Sequence, residues 1–274
     1  MSKTIASALV HLIRASTCFM PKSRQVMTHG KVMELLEPVI TVDCPNQTLR
    51  FSCPTARAAH DPDHLFDGEP ETIRWIDSLP QNEVLWDIGA NVGTYTIYAA
   101  AVRKMNVVAF EPNAATFSVL ARNIEINRCD TLVSALPIAL SDETKIDHLY
   151  MANSAAGHSM HAFGTSENAM GQIDNAIKQT VLGYSIDDFV KSFSIAKPDH
   201  IKIDVDSIEE LIIKGGKNTI SQYVKTILIE VIGDDLSERA NILSARIESL
   251  GLKHVTSFTQ EGDARNILFS RSTN

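Results

Sequence analysis

Residues Val84–Gly93 read VLWDIGANVG, and Val107–Pro112 read VVAFEP. The first apolar run ends in Asp87. Gly89 and Gly93 follow, with the small Ala90 and Asn91 between them. The second apolar run ends in Glu111. The pattern predicts strand, tight glycine turn, helix, strand and a closing acid. That order binds an adenosine-bearing ligand at the carboxyl ends of parallel strands.

The turn decides which ligand. A dinucleotide site uses G-x-G-x-x-G, because glycine N–H groups and a helix N-terminus must meet a pyrophosphate. Here the spacing is G-x-x-x-G, and Asp87 stands two residues before the first glycine. A carboxylate there repels a pyrophosphate and attracts an ammonium. S-adenosylmethionine offers an α-ammonium, a sulfonium and a ribose diol, and carries no phosphate. Asp87 suits its amino-acid end, Gly89 allows close backbone approach, and Glu111 can accept from the ribose hydroxyls. A capping Asp and a surface Glu would explain either acid alone. The agreement of strand, turn, helix and acid favours the ligand.

The remaining chain narrows the class. It has 274 residues, 44% hydrophobic and 21% charged, enough for one large domain with appendages. The net charge of −8 and the lack of a long basic run argue against a nucleic-acid partner. Cys18, Cys44, Cys53 and Cys129 form no C-x-x-C pair and read as thiols of a reducing compartment, the cytoplasm. Ile5–Ile13 is too short to span a bilayer and lacks a convincing cleavage site. Ile5, Leu9, Leu12 and Ile13 share one helical face, so an amphipathic packing helix is expected, open to use in a homodimer.

Residues 1–80 are expected to form a helical and hairpin accessory region, with short strands around Pro45–Asn46 and a helix over Glu69–Leu79. Residues 81–274 then alternate strand and helix as an α/β domain. Its strands are expected at Val84–Asp87, Val107–Glu111, Leu132–Leu140, His200–Asp204 and Thr226–Val231. An added strand is expected at Ile146–Met151, and a closing antiparallel pair at His254–Ser257 and Asn266–Ser270. Residues 152–179 break the rhythm and carry His158 and His161. An insertion there is expected to cover the substrate.

A second constellation lies in Ile201–Lys214, IKIDVDSIEELIIK. Asp204 closes a strand, Asp206 and Glu209 follow in the turn to a helix, and Glu230 closes the next strand. A carboxylate here could take the proton of a substrate hydroxyl. Helix N-terminal charge would equally explain Asp206 and Glu209. His158 could supply a base from the insertion. His60 and His64 stand four apart, but Pro62 argues against a shared helix, so they read as surface residues. A divalent ion on Asp204, Asp206 and Glu230 is considered and not favoured; no metal is expected.

These motifs resemble the FkbM family of S-adenosylmethionine-dependent methyltransferases. The resemblance rests on Glu69–Thr72, Trp86–Gly93, Phe110–Asn113, Asn123, Asn127, Ala139–Asp142, Ser185–Asp188, Lys202–Val205, Glu209, Gly215–Gly216 and Ile229–Glu230. It implies a class I, Rossmann-like fold: a seven-stranded, mostly parallel sheet with helices on both faces. Residue by residue, it implies that Asp87, Gly89, Ala90, Asn91 and Gly93 hold the methionine part. Glu111, with Pro112 and Asn113 beside it, would hold the ribose, Asp142 would lie near the adenine amine, and Asp204 would face the methyl group. Where the family commonly has D-V-E-G-x-E, this chain has Asp206 for the first Glu and Ser207 for the Gly.

The sequence therefore leads to an O-methyltransferase acting on a hydroxyl of a sugar, glycan or related natural product. Asp204, Glu209 and His158 are its expected catalytic residues. A cofactor-binding protein with lost turnover is the alternative that residues 206–207 suggest. A nicotinamide-dependent enzyme on the same fold is disfavoured by the missing third glycine.

Overall fold

Successive side chains of Val84–Ile88 and Asn106–Phe110 enter two different apolar clusters. Trp86, Ile88, Val108 and Phe110 join one, while Leu85, Val107 and Ala109 join the other. Strands that are apolar on both sides belong at the centre of a sheet covered on both faces.

A computed structural model describes residues 2–233, 236–259 and 264–271. Residues 1–39 form one compact unit and 40–274 another. The first unit holds α1 (Ser2–Thr17) and α2 (Lys22–Leu36). They are joined where Thr17 Oγ1 meets His29 Nε2 at 2.9 Å. The helix expected at the N-terminus is present, but Ile5, Leu9 and Leu12 are exposed rather than packed.

The larger unit follows a hairpin, β1 (Val39–Cys44) and β2 (Gln47–Ser52), then α3 (His60–Asp63) and α4 (Pro70–Ser78). Next come β3 (Val84–Ile88), α5 (Thr94–Ile97, continued by a π-helical turn to Val102), β4 (Asn106–Phe110), α6 (Ala114–Ile126) and β5 (Val133–Leu136). A side sheet uses β6 (Ala139–Ser141), β7 (Lys145–Met151), β8 (Ala162–Phe163) and β11 (Ile177–Ser185), with the short pair β9 (Glu167–Asn168) and β10 (Gly171–Gln172) inside the insertion. The chain then runs through α7 (Ile186–Ser192), β12 (His200–Ile203), α8 (Glu209–Gly215), α9 (Lys217–Tyr223), β13 (Thr226–Ile232), α10 (Leu236–Ser249), β14 (Lys253–Thr259) and β15 (Ala264–Ser270).

The main sheet has the order β14–β15–β13–β12–β3–β4–β5. It is parallel from β13 to β5, and β15 runs antiparallel to both neighbours. This is the expected seven-stranded fold. The order reverses between β3 and β12, so their carboxyl ends open a crevice.

Two local expectations change, and one holds. The strand expected over Leu132–Leu140 is two strands in two sheets. Pro137, between them, lacks the N–H that a continuing ladder needs. The added strand expected at Ile146–Met151 is present as β7, paired in the side sheet with β11 along its whole length. The unit boundary falls at Val39–Ile40 rather than near residue 80. Asn123 Oδ1 of α6 accepts from Ser52 N at 2.7 Å and Asn127 Oδ1 from Arg50 N at 2.9 Å, which ties β2 to the large unit.

Candidate active site

At the carboxyl ends of β3, β4, β12 and β13 lies a cavity of about 360 Å³. Asp87, Gly89, Ala90, Asn91, Glu111, Pro112, His158 and Asp204, all picked out from the sequence, line it. Four others do not. Gly93 stands behind the wall against Leu120, and Asn113 caps α6 by accepting from Ala115 N and Thr116 N. Asp142 pairs with Lys214 at 2.8 Å, and Glu209 is buried against Arg239 at 3.0 Å. Neither carboxyl reaches the cavity lining.

The backbone of the first turn is set by Gly89, at φ +83°. A β-carbon there would stand 1.8 Å from the carbonyl oxygen of Asp204. Only glycine lets the end of β3 and the end of β12 touch in this way.

Asp87 is buried, and one carboxyl oxygen accepts from Thr96 Oγ1 at 2.6 Å. The other, Oδ1, is buried with no partner. Burial pushes its carboxyl up, against the pull of the Lys202 ammonium and Thr96. An orphaned buried acceptor is costly unless a donor arrives. Thr94 Oγ1 and Asn91 Oδ1 are buried and unpaired in the same turn. The α-ammonium of S-adenosylmethionine fits this set.

Glu111 accepts from Asn91 N at 3.0 Å and Asn113 N at 2.8 Å. Burial pushes it up to about 7, with the two backbone N–H groups opposing. It therefore ties the left-handed Asn91 (φ 50°) to β4. Each carboxyl oxygen keeps a second lone pair for a ribose hydroxyl.

Beyond this turn stands a charged cluster. The buried Lys202 ammonium lies 2.6 Å from Asp204 and 4.9 Å from the centre of the Tyr95 ring. Burial disfavours its charge, but Asp204, Glu69 and Asp87 outweigh that and hold it well above the ordinary lysine range. Burial likewise raises Asp204, yet Lys202 and a hydrogen bond from Glu230 leave it below its usual value. Glu230 is pushed up to about 10 by burial and by Asp204, so it stays protonated at neutral pH and donates to Asp204. Glu69 is raised by burial and accepts from Thr72 Oγ1 at 2.8 Å and Asn266 Nδ2 at 3.1 Å.

The insertion closes one side. Asp206 Oδ2 accepts from Met160 N at 2.5 Å and His161 N at 3.2 Å, and its carbonyl accepts from Ala169 N at 3.0 Å. His158, Ser159 and His161 thereby become cavity wall. Burial and the neighbouring His158 pull His161 down to about 4, so it is neutral. Asp206 itself adopts φ 55°, whereas Ser207 is not at positive φ. The left-handed turn falls on Asp206, a residue type that tolerates it. The Gly-to-Ser departure thus leaves the backbone unstrained at 207.

Some lining residues carried weaker sequence signals. Glu69 was visible only as part of the resemblance, whereas Lys202 and Glu230 stood at the ends of expected strands without an assigned role. Tyr95 had no signal beyond its place in the first turn of α5. His60 and His64, expected at the surface, do stay exposed but border the cavity, with ring centres 5.0 Å apart.

Residues 87–263 match the model of the methyltransferase FkbM domain. The chain belongs to the FkbM methyltransferase family. It is therefore a methyltransferase, and its cofactor is S-adenosylmethionine. Hexuronic acid methyltransferase AglP of Haloferax volcanii is 31% identical over 179 residues, 65% of this chain and 68% of that protein. Methyltransferase sdnD of Sordaria araneosa is 25% identical over 191 residues, 61% of this chain and 70% of that protein. The crystal structure of methyltransferase FkbM from Methylobacillus flagellatus KT is 18% identical, covers 69% of this chain and 44% of that one, and superposes with a TM-score of 0.46.

Proposed function

We propose that this FkbM methyltransferase methylates a hydroxyl of a sugar, glycan or related natural product. The observation that carries the reading is the contact of Gly89 with Asp204. It sets the cradle for the methionine end directly beside the carboxylate that faces the acceptor space. The hexuronic acid methyltransferase, a relative by sequence, supports a carbohydrate acceptor.

When bound, S-adenosylmethionine supplies an electrophilic methyl on sulfur. Asp87 would hold the ammonium and Glu111 the ribose diol, groups already in place before the cofactor arrives. Asp204 is held too acidic by Lys202 and Glu230 to be a strong base. Its role is to accept the hydrogen bond of the acceptor hydroxyl and aim the oxygen. His158, which also lines the cavity, would take the proton of that hydroxyl as the methyl is transferred. Glu209 acts from behind: it pairs with Arg239, whose guanidinium also donates to Ser207 O at 3.2 Å and braces the turn.

The test is transfer of labelled methyl from S-adenosylmethionine to a panel of glycans and small alcohols, read by mass spectrometry. Methylated hydroxyl product, lost in Asp204→Ala with cofactor binding retained, supports the reading. Transfer only to nitrogen or carboxyl acceptors overturns it.

A further inference from the structure

Residues 2–36, which hold α1 and α2, contain Lys3, Arg14, Lys22, Arg24 and Lys31 against the single acid Glu34, which pairs with Lys31 at 2.6 Å, in a chain whose net charge is −8. The same stretch exposes its apolar side chains. Ile5 and Leu9 are each 54% exposed, Leu12 64% and Phe19 78%. On α1, Ile5, Leu9 and Leu12 recur at helical spacing on one side, and Lys3 and Arg14 lie on the other. On α2, Val26, Met33 and Leu36 are also exposed.

We infer that α1 and α2 are a peripheral anchor for an anionic lipid surface. A helix apolar on one side and cationic on the other lies in the plane of a membrane interface. Its apolar side chains enter the acyl boundary, and its cations meet lipid phosphates, aided by flexible stems. At 16 residues α1 is about 24 Å long, shorter than the hydrocarbon core of about 30 Å, so it lies on a bilayer rather than crossing it. Among the described residues, no helix is long and apolar enough to cross a membrane. A second copy is the weaker partner, because it would set two segments of net positive charge against each other, five cations to one acid over residues 2–36. A nucleic acid would match the charge but offers nothing to Leu9 and Leu12.

The experiment is co-sedimentation of the full chain with vesicles. One set is phosphatidylcholine with phosphatidylglycerol in a two-to-one ratio, the other phosphatidylcholine alone. The expected result is partitioning at least about tenfold stronger onto the anionic vesicles, weakened by high salt. The double substitution Leu9→Glu, Leu12→Glu should abolish it while leaving the affinity for S-adenosylhomocysteine unchanged, which shows the large unit intact. No partitioning, or equal partitioning onto both vesicles, overturns the proposal. So does partitioning that survives the double substitution, since that is charge attraction alone. A concentration-dependent dimer, dissolved by the same substitutions and indifferent to vesicles, would assign the face to a second copy.

Discussion

Gly89 and Asp204 approach so closely that no side chain fits between them, with 1.8 Å left for a β-carbon at Gly89. The atom in the way is backbone, so it cannot swing aside. Gly89→Ala must also hold φ +83°, which costs an L-residue roughly 1 kcal/mol before any clash. The expected outcome is a folded protein, by circular dichroism, whose S-adenosylhomocysteine affinity falls at least about tenfold, or about 1.4 kcal/mol. Wild-type affinity would mean that this turn is not the cofactor cradle.

Asp87 gives a sharper version of the same test. Asp87→Asn keeps the shape and can still accept from Thr96, but it removes the charge that meets the ammonium. Losing one charge-assisted bond of about 1.5–3 kcal/mol weakens binding roughly 10–100-fold. Calorimetric titration reads the change directly. Unaltered affinity would move the methionine end elsewhere in the cavity.

Lys202 is the counter-ion of three carboxyls, those of Asp204, Glu69 and Asp87. Lys202→Ala leaves Asp204 buried without its ammonium. Breaking such a pair typically costs about 3–5 kcal/mol. Chemical denaturation of variant and wild type should show a loss of that size at neutral pH. A loss below about 1 kcal/mol would mean that solvent reaches the cluster freely.

Asp206 predicts two opposite pH responses. Burial, then the charge of Asp204, push its carboxyl up to about 7, against the Met160 and His161 amides, with Glu209 also raising it. Its folded value lies above the ordinary 3.8. Its contribution to stability is therefore complete below 3.8 and is lost as pH rises through about 7. Asp206→Asn should flatten that part of the stability profile between pH 5 and 8. The ionised carboxylate, however, is the stronger acceptor for the insertion. Amide exchange at Met160 and His161, corrected for intrinsic rate, should slow as pH rises through about 7 in the wild type and not in the variant. Equal protection across that range would release the insertion from Asp206.

The central strands and the cofactor turn were legible because their signals are local. Asp87, the two glycines and Glu111 sit within one βαβ unit, and each apolar run ends where its strand ends. The side sheet was hidden for the opposite reason. β11 pairs with β7 across the whole insertion, and alternation in Ile177–Ser185 is blurred by Gly183 and by a polar start. Pro137 was the available sign that Leu132–Leu140 could not be one strand. Glu209 and Asp142 illustrate a different limit. Spacing puts both near the right strand ends, but only the fold shows that Arg239 and Lys214 hold their carboxyls out of the cavity. Asp206 was seen as a departure, and its hold on Met160, 46 residues away, is written in no local pattern.

The pairing of Met151 with Ile177 brings the two ends of the insertion together on adjacent strands. Loop closure between neighbouring points grows only slowly with length, by about 0.6 kcal/mol per doubling. Apart from β8, which pairs with β7 through Ala162 and Phe163, the intervening residues can therefore lengthen or shorten at little closure cost to the sheet that carries them. The inner edge of the insertion is not free to change in the same way, because Asn91 of the cofactor turn donates to Gly157 O at 3.4 Å and Asn113 meets His161 Nε2 at 3.2 Å.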